Sequence, residues 1–219
     1  MKRLLTVILL FSTPVFATTN QIDFNWGRST PLGSVQAQGS TEQDGLRGTS
    51  WSADGLHHVS NSFYLGFGFG HFSSEDNQSS TFILNKVSTV SSKKTSSLLL
   101  GRMDFGANAR FVPYAIAGLG WVQNSLTVTA LPASSWDDTG TSEARTFVDQ
   151  SKSTLGYAGG LGLDVLLSDR LLIGIEARYE GSPVQHFAMT SAGAAASLQT
   201  DLRTSADLFS VGIKAGVKY

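Results

Sequence analysis

Apolar and polar side chains alternate without exception at the end of the chain, from Phe209 to Tyr219. One set is apolar throughout: Phe209, Val211, Ile213, Ala215, Val217 and Tyr219. The set between them contains only small or cationic residues: Ser210, Gly212, Lys214, Gly216 and Lys218. Because successive side chains of a β-strand point to opposite faces, the segment predicts a strand with one apolar and one polar face.

Similar patterns predict seven more strands, which gives the chain eight. They cover about residues 20–28, 45–56, 63–72, 95–106, 112–128, 153–167 and 171–181. The strand at 112–128 is apolar on both faces, and we orient it by turning Gly118 and Gly120 inward. Long connections alternate with short ones, and the long ones cover about residues 29–44, 73–94, 129–152 and 182–204. Long external loops at one end and short turns at the other are typical of barrels in bacterial outer membranes.

The positions of the glycines favour lipid as the environment of the apolar face. The chain has 23 glycines, and many fall inside the predicted strands on the polar face. Small residues suit the narrow interior of a barrel, where the walls approach closely. We therefore predict an all-β fold, an eight-stranded antiparallel transmembrane β-barrel of up-and-down topology. Six residues are predicted to face lipid: Phe67, Leu119, Trp121, Ile175, Ile213 and Tyr219.

The positions that alternate with these apolar residues place charged side chains inside the barrel. Seven are predicted to form a charge network in the lumen: Arg102, Asp104, Asp164, Glu176, Arg178, Glu180 and Lys214. An interior of eight strands is just wide enough for side chains to fill, and unpaired buried charges are costly. The pattern therefore favours an interior plugged by ion pairs. A narrow pore, gated by exchange of those pairs, is the alternative.

The amino terminus has the pattern of a signal peptide. Lys2 and Arg3 precede an apolar run from residue 4 to residue 11, and Val15-Phe16-Ala17 provides small residues at a cleavage site before Thr18. We therefore predict a signal peptide over residues 1–17 and a barrel over residues 18–219. The chain has a net charge of −1, and loss of the signal peptide removes two positive charges, which argues against nucleic acid as a partner. The chain contains no cysteine, and we predict no metal site and no cofactor.

One pair of residues could support an enzymatic reaction. His71 and Ser73 lie at the outer end of a predicted strand and could act as base and nucleophile of a lipid A or phospholipid acyl hydrolase. As a simpler interpretation, they are polar residues at the membrane interface, and we therefore predict no catalytic residue. Asp137 and Asp138 are adjacent loop carboxylates, a pattern more typical of a solvated turn than of a divalent ion site.

Three segments of the second half resemble the OmpA-like and opacity-type family of eight-stranded outer-membrane barrels. They read PYAIAGLGW over residues 113–121, GGLGLD over residues 159–164 and IEARY over residues 175–179, and the ending over residues 211–219 is similar. The terminal residue is Tyr219, where the family more often has Phe. The resemblance implies a fold more than an activity.

Together these patterns predict a non-enzymatic protein of the bacterial outer membrane with an envelope-structural and adhesion-like surface role. Its expected partners are outer-membrane lipid and lipopolysaccharide, the barrel-assembly machinery, and a host or surface ligand bound through the long loops. One alternative is a narrow porin-like channel or a carrier of small hydrophobic molecules. A soluble exported barrel with an internal ligand is another.

Overall fold

The computed structural model describes residues 20–32, 35–37, 47–60, 62–78, 88–106, 110–130, 145–188, 201–204 and 207–219. The predicted signal peptide, Asp137 and Asp138 lie outside the described residues. The strands are β1 (Gln21–Pro31), β2 (Val35–Ala37), β3 (Gly48–Ser60), β4 (Phe63–Gln78), β5 (Ser88–Asp104), β6 (Phe111–Ala130), β7 (Arg145–Leu166), β8 (Leu171–Gly181), β9 (Gln185–Ala188), β10 (Asp201–Thr204) and β11 (Leu208–Lys218).

Eight of these strands close into an antiparallel barrel, which confirms the predicted fold. The order around the barrel is β1-β11-β8-β7-β6-β5-β4-β3, so the first and last strands of the chain pair with each other. No helix in the described part of the chain is long and apolar enough to cross a membrane. We call the end of the barrel that carries the long connections the outer end, and the opposite end the inner end.

Side chains alternate between the two faces of the wall as the sequence pattern requires. The residues predicted to face lipid all lie on the outside, and each has more than half of its surface exposed: Phe67, Leu119, Trp121, Ile175, Ile213 and Tyr219. The inward set includes a packed apolar cluster of Leu56, Tyr64, Leu98, Leu100, Tyr114, Ile116 and Ala158. The wall therefore has a continuous apolar outer surface around a filled interior.

Several strands are longer than the sequence predicted. Strands β4 and β5 pair through Gln78 and Ser88, so much of the expected loop at 73–94 is strand. Strands β6 and β7 likewise continue to Ala130 and from Arg145, which shortens the expected loop at 129–152. The outward side chains become polar in these extensions, so the apolar alternation that reveals a strand is lost although backbone pairing continues.

The first and last long connections also contain structure that the sequence did not predict. Strands β2, β10 and β9 form a separate three-stranded antiparallel sheet, which joins the expected loops 29–44 and 182–204. Near the inner end, β3 continues to Ser60, with an irregularity in its pairing after His58. The short connection expected between the predicted strands 45–56 and 63–72 is therefore mostly strand.

Candidate functional site

The inner half of the barrel interior is occupied by an ion-pair group centred on Arg102. Its guanidinium donates from Nε to Asp104 Oδ1 at 2.6 Å, from Nη2 to Asp164 Oδ2 at 2.6 Å and from Nη1 to Asp23 Oδ2 at 3.2 Å. Arg102 and Asp104 share a face because they are two residues apart on β5. Since Asp164 and Asp23 belong to β7 and β1, this one side chain connects three strands across the lumen.

Lys214 completes this group from the last strand. Its ammonium lies 2.7 Å from the carboxylate of Asp164 and 3.3 Å from that of Asp23. The ring of Tyr114 contacts both cations, with its centroid 3.8 Å from Cζ of Arg102 and 4.0 Å from Nζ of Lys214. Two cations held by shared carboxylates and one aromatic face form a compact plug.

A second group lies against the same tyrosine. Arg178 donates from Nε to Glu176 Oε1 at 2.7 Å and also pairs with Asp54 on β3. The hydroxyl of Tyr114 donates to Glu176 Oε2 at 2.7 Å. Tyr114 therefore connects the Arg102 group, through its ring, with the Arg178 group, through its hydroxyl.

A third pair lies closer to the outer end. Lys94 on β5 lies 3.7 Å from the carboxylate of Glu180 and donates to the backbone oxygen of the same residue at 3.1 Å. Both residues are at least nine-tenths buried. This pair fixes β5 to β8 across the barrel.

The seven charged residues predicted for the lumen all lie inside, but they form three groups instead of one network. The prediction missed Asp23, Asp54, Lys94 and Tyr114 as members. The parity of β1 and β3 already placed Asp23 and Asp54 on the inner face, whereas Lys94 fell in an expected loop. The described interior thus holds more carboxylates than cations, so a water path through it would favour cations over anions.

A small cavity of about 30 Å³ lies between the Arg178 group and the Lys94 pair. Its lining includes Asn25, Ser52, Gly70 and Ser210 as well as the charged side chains. Oδ1 of Asn25 is buried and has no hydrogen-bond partner among the described residues. The volume and the polar lining suit water, which would satisfy this oxygen.

Nearer the outer end, buried apolar side chains of β6 and β7 lie close to β9. The inward residues Val122, Leu126, Val128 and Val148 are almost fully buried, and so is Phe187 of β9. Asn124 donates from Nδ2 to Gln185 Oε1 at 3.2 Å, which connects β6 to β9. The outer part of the lumen beside β9 is therefore lined by buried apolar side chains.

The candidate catalytic pair lies on outward-facing positions of β4. Nδ1 of His71 lies 3.4 Å from Oγ1 of Thr95, and the ring of His71 lies 5.9 Å from that of Trp51. Within the described part of the chain, no hydrogen bond joins His71 to Ser73, and no group of three metal-binding side chains occurs. The geometry does not assemble a nucleophile with its base.

Comparison with known proteins agrees with the observed fold. The family model described as "Outer membrane protein beta-barrel domain" matches residues 4–219. The outer membrane protein OprG from Pseudomonas aeruginosa is 17% identical with a TM-score of 0.57, and the match covers 93% of this chain and 96% of OprG. No curated protein matches the chain in sequence.

Two further solved structures are similar over most of their length. Ail of Yersinia pestis, crystallised with the heparin analogue sucrose octasulfate, is 14% identical with a TM-score of 0.42, and the match covers 91% of this chain and 99% of Ail. The N-terminal barrel domain of Pseudomonas aeruginosa OprF is 9% identical with a TM-score of 0.43, and the match covers 92% of this chain and 97% of that domain. At these identities the similarity concerns the fold alone.

Proposed function

Because this chain belongs to the outer membrane protein β-barrel domain family, we propose that it is a non-enzymatic barrel that stabilises the cell envelope and presents its outer end for interaction at the cell surface. Its location is the bacterial outer membrane, so the soluble exported barrel considered above is wrong. The lipid-facing apolar wall fits that location, since such a surface would be unfavourable in water.

The observation that carries the structural part of the proposal is the filled interior. Arg102, Arg178, Lys94 and Lys214 each reach a carboxylate on another strand, and all four cations are at least nine-tenths buried. Breaking such a pair leaves an unpaired buried charge, so the pairs hold the wall in one arrangement. A barrel closed in this way is better suited to a rigid envelope component than to rapid solute flow.

The surface part of the proposal is supported by the extended strands β4 to β7. In the described ladders, residues 145–156 of β7 pair with β6 only, because pairing with β8 begins at Tyr157. The outward face here is polar, and Ser151 Oγ accepts hydrogen bonds from Gln123 Nε2 at 2.7 Å and Ser125 Oγ at 3.0 Å. A polar sheet that extends beyond the apolar wall is a surface on which another molecule can bind.

Both parts can be tested in cells. We would compare cells that make the native protein, no protein, or a variant in which residues 131–144 are replaced by Asn-Gly, a two-residue hairpin turn. The expected result is greater vancomycin sensitivity only without the protein, and reduced attachment to immobilised extracellular-matrix proteins in both altered strains. Unchanged vancomycin sensitivity without the protein would contradict the structural role. Unchanged attachment in both strains would contradict the surface role.

The second candidate function is a narrow channel or a carrier of small hydrophobic molecules. The observation that favours it is the cavity beside Arg178, with buried apolar side chains nearer the outer end. Conductance of the purified protein in planar bilayers would test it. A conductance that changes in Arg178→Gln, but not in the inner-end control Arg170→Gln, would support the channel. Absence of conductance and of hydrophobic solute uptake into liposomes would contradict it.

The proposal that the protein is not an enzyme is tested by substituting the candidate catalytic pair. We expect no release of acyl chains from lipid A or phospholipid by the native protein, and no difference in His71→Ala or Ser73→Ala. Acyl release that is lost in both variants would instead establish the hydrolase.

A further inference from the structure

The outer wall of the barrel carries an aromatic belt on its β1, β3 and β4 side. Trp26 pairs with Trp51 across β1 and β3, and Trp51 pairs with His71 across β3 and β4. The ring of Trp51 also lies 6.2 Å from that of Phe24 and 5.6 Å from that of Phe69. Aromatic residues with a polar edge concentrate where hydrocarbon meets headgroups, so this belt marks the outer membrane interface on this side.

The next row of lipid-facing positions, one step closer to the outer end than the belt, contains only cationic and hydroxyl side chains. By register, Arg28 pairs with Thr49, Thr49 with Ser73 and Ser73 with Lys93, across four neighbouring strands. Arg28, Thr49 and Lys93 are exposed, and Ser73 is half-buried. The row thus faces the layer in which lipid headgroups lie.

A third cation adjoins this row at the start of β3. Arg47 is exposed and lies two residues before Thr49, closer to the outer end of the barrel. Its backbone oxygen accepts a hydrogen bond from Ser74 Oγ at 2.9 Å. That bond fixes the chain at Arg47 against β4. We refer to Arg28, Arg47 and Lys93 together as the basic rim.

The basic rim is not neutralised by described neighbours on its own face. None of the described outward side chains of β1, β3, β4 and β5 is acidic. Glu75 lies two residues after Ser73 in the sequence of β4, and an exposed acid, Asp149, lies on β7, two strands from Lys93. On the other side of β1, the next two strands, β11 and β8, continue this row with Val211 and Ala177, which are apolar. The positive charge is therefore confined to one side.

From these positions we propose that the basic rim binds the bisphosphorylated sugar headgroup of lipopolysaccharide in the outer leaflet. Arg28 and Lys93 are three strand spacings apart, about 14 Å along the sheet. That separation suits a rigid disaccharide with a phosphate at each end, one for each cation, with the hydroxyls of Thr49 and Ser73 between them. Arginine binds phosphate bidentately and lysine as a point charge. The acyl chains below would contact the aromatic belt.

The test uses the full mature protein in detergent, with binding measured by native mass spectrometry and calorimetry. The probes are bisphosphoryl lipid A, monophosphoryl lipid A and phosphatidylglycerol. The native protein is expected to prefer bisphosphoryl lipid A by about tenfold over the other two. Arg28→Gln/Lys93→Gln should lose this preference, a loss typical of two partly exposed charge contacts.

Two controls separate this proposal from general attraction to anionic lipid. Arg110→Gln/Arg170→Gln removes two exposed charges at the inner end and should bind like the native protein, and so should the charge-retaining Arg28→Lys/Lys93→Arg. Each variant is first checked for the mobility difference between unheated and heated samples that reports a folded barrel. Equal binding of phosphatidylglycerol, or an equal loss in the inner-end control, would overturn the proposal. So would an unchanged preference in Arg28→Gln/Lys93→Gln.

Discussion

The guanidinium carbon of Arg102 lies 3.8 Å from the ring centroid of Tyr114, and both side chains are almost fully buried. The same tyrosine donates its hydroxyl to Glu176, which is the partner of Arg178. One aromatic side chain therefore connects two ion-pair groups that would otherwise be separate. Because both groups depend on the position of one ring, we expect a change in either to affect the other.

Replacing Tyr114 tests this connection. Tyr114→Phe keeps the ring against Arg102 and Lys214 but removes the hydrogen bond to Glu176, at an expected cost of about 1–3 kcal/mol. Tyr114→Leu also removes the contact of the cations with the ring and should cost more. The measurement is the urea midpoint in detergent micelles, followed by tryptophan fluorescence. Equal midpoints for the native protein and both variants would contradict the connecting role.

Removing Arg102 should destabilise the barrel strongly. In Arg102→Met, Asp104 loses its cation while Asp23 and Asp164 keep only Lys214, and loss of one partner from a buried pair costs about 3–5 kcal/mol. Arg102→Met/Asp104→Asn removes one of the unpaired charges and should recover part of that loss. Arg170→Met, at the exposed inner turn, serves as the control. Additive effects of the two interior changes, measured as urea midpoints, would show that the residues do not interact.

The alternation of side chains predicted the barrel and the faces of most of its strands, whereas the strand at 112–128 was oriented by its glycines. Ile175 and Ile213 face outward and Glu176 and Lys214 face inward because a strand has a period of two, which the sequence displays directly. The number of strands and the alternation of long and short connections then determined the topology. These features are local, so they could be predicted without knowing which strands pair at which height.

The alternation of side chains could not predict which inward residues pair with each other inside the barrel. Parity shows that Asp23 and Arg102 face inward, but not that residues 79 positions apart meet at the same height, which depends on strand tilt and register. Lys94 was missed for a different reason. Its strand continues above the membrane, where neighbours such as Lys93 and Thr95 are polar and hide the alternation. The sheet of β2, β9 and β10 has strands too short to produce a periodic pattern.

Gly162 should tolerate no side chain, because a Cβ at this position would overlap the ring of Tyr114. Gly162→Ala is therefore expected to displace the ring from Glu176 and to cost about 1–3 kcal/mol through overpacking. Gly159→Ala is the matched control on the same strand, since a Cβ there meets no atom within 4 Å. The urea midpoints should fall for Gly162→Ala alone. A similar fall of the urea midpoint in both variants would show that the strand backbone, and not the contact with Tyr114, causes the effect.

Adjacent residues of the last strand provide the strictest test of the register. Ile213 is 64% exposed on the lipid-facing wall, whereas Lys214 is 3% exposed and paired with Asp164 and Asp23. Ile213→Lys places a charge in lipid, which costs about 2–4 kcal/mol near the middle of the membrane, so less protein should reach the outer membrane. Lys214→Gln should still assemble, but unfold at lower urea because Asp164 and Asp23 lose a cation. Heat-modifiable mobility in isolated membranes measures assembly, and equal amounts of assembled Ile213→Lys and native protein would contradict the register.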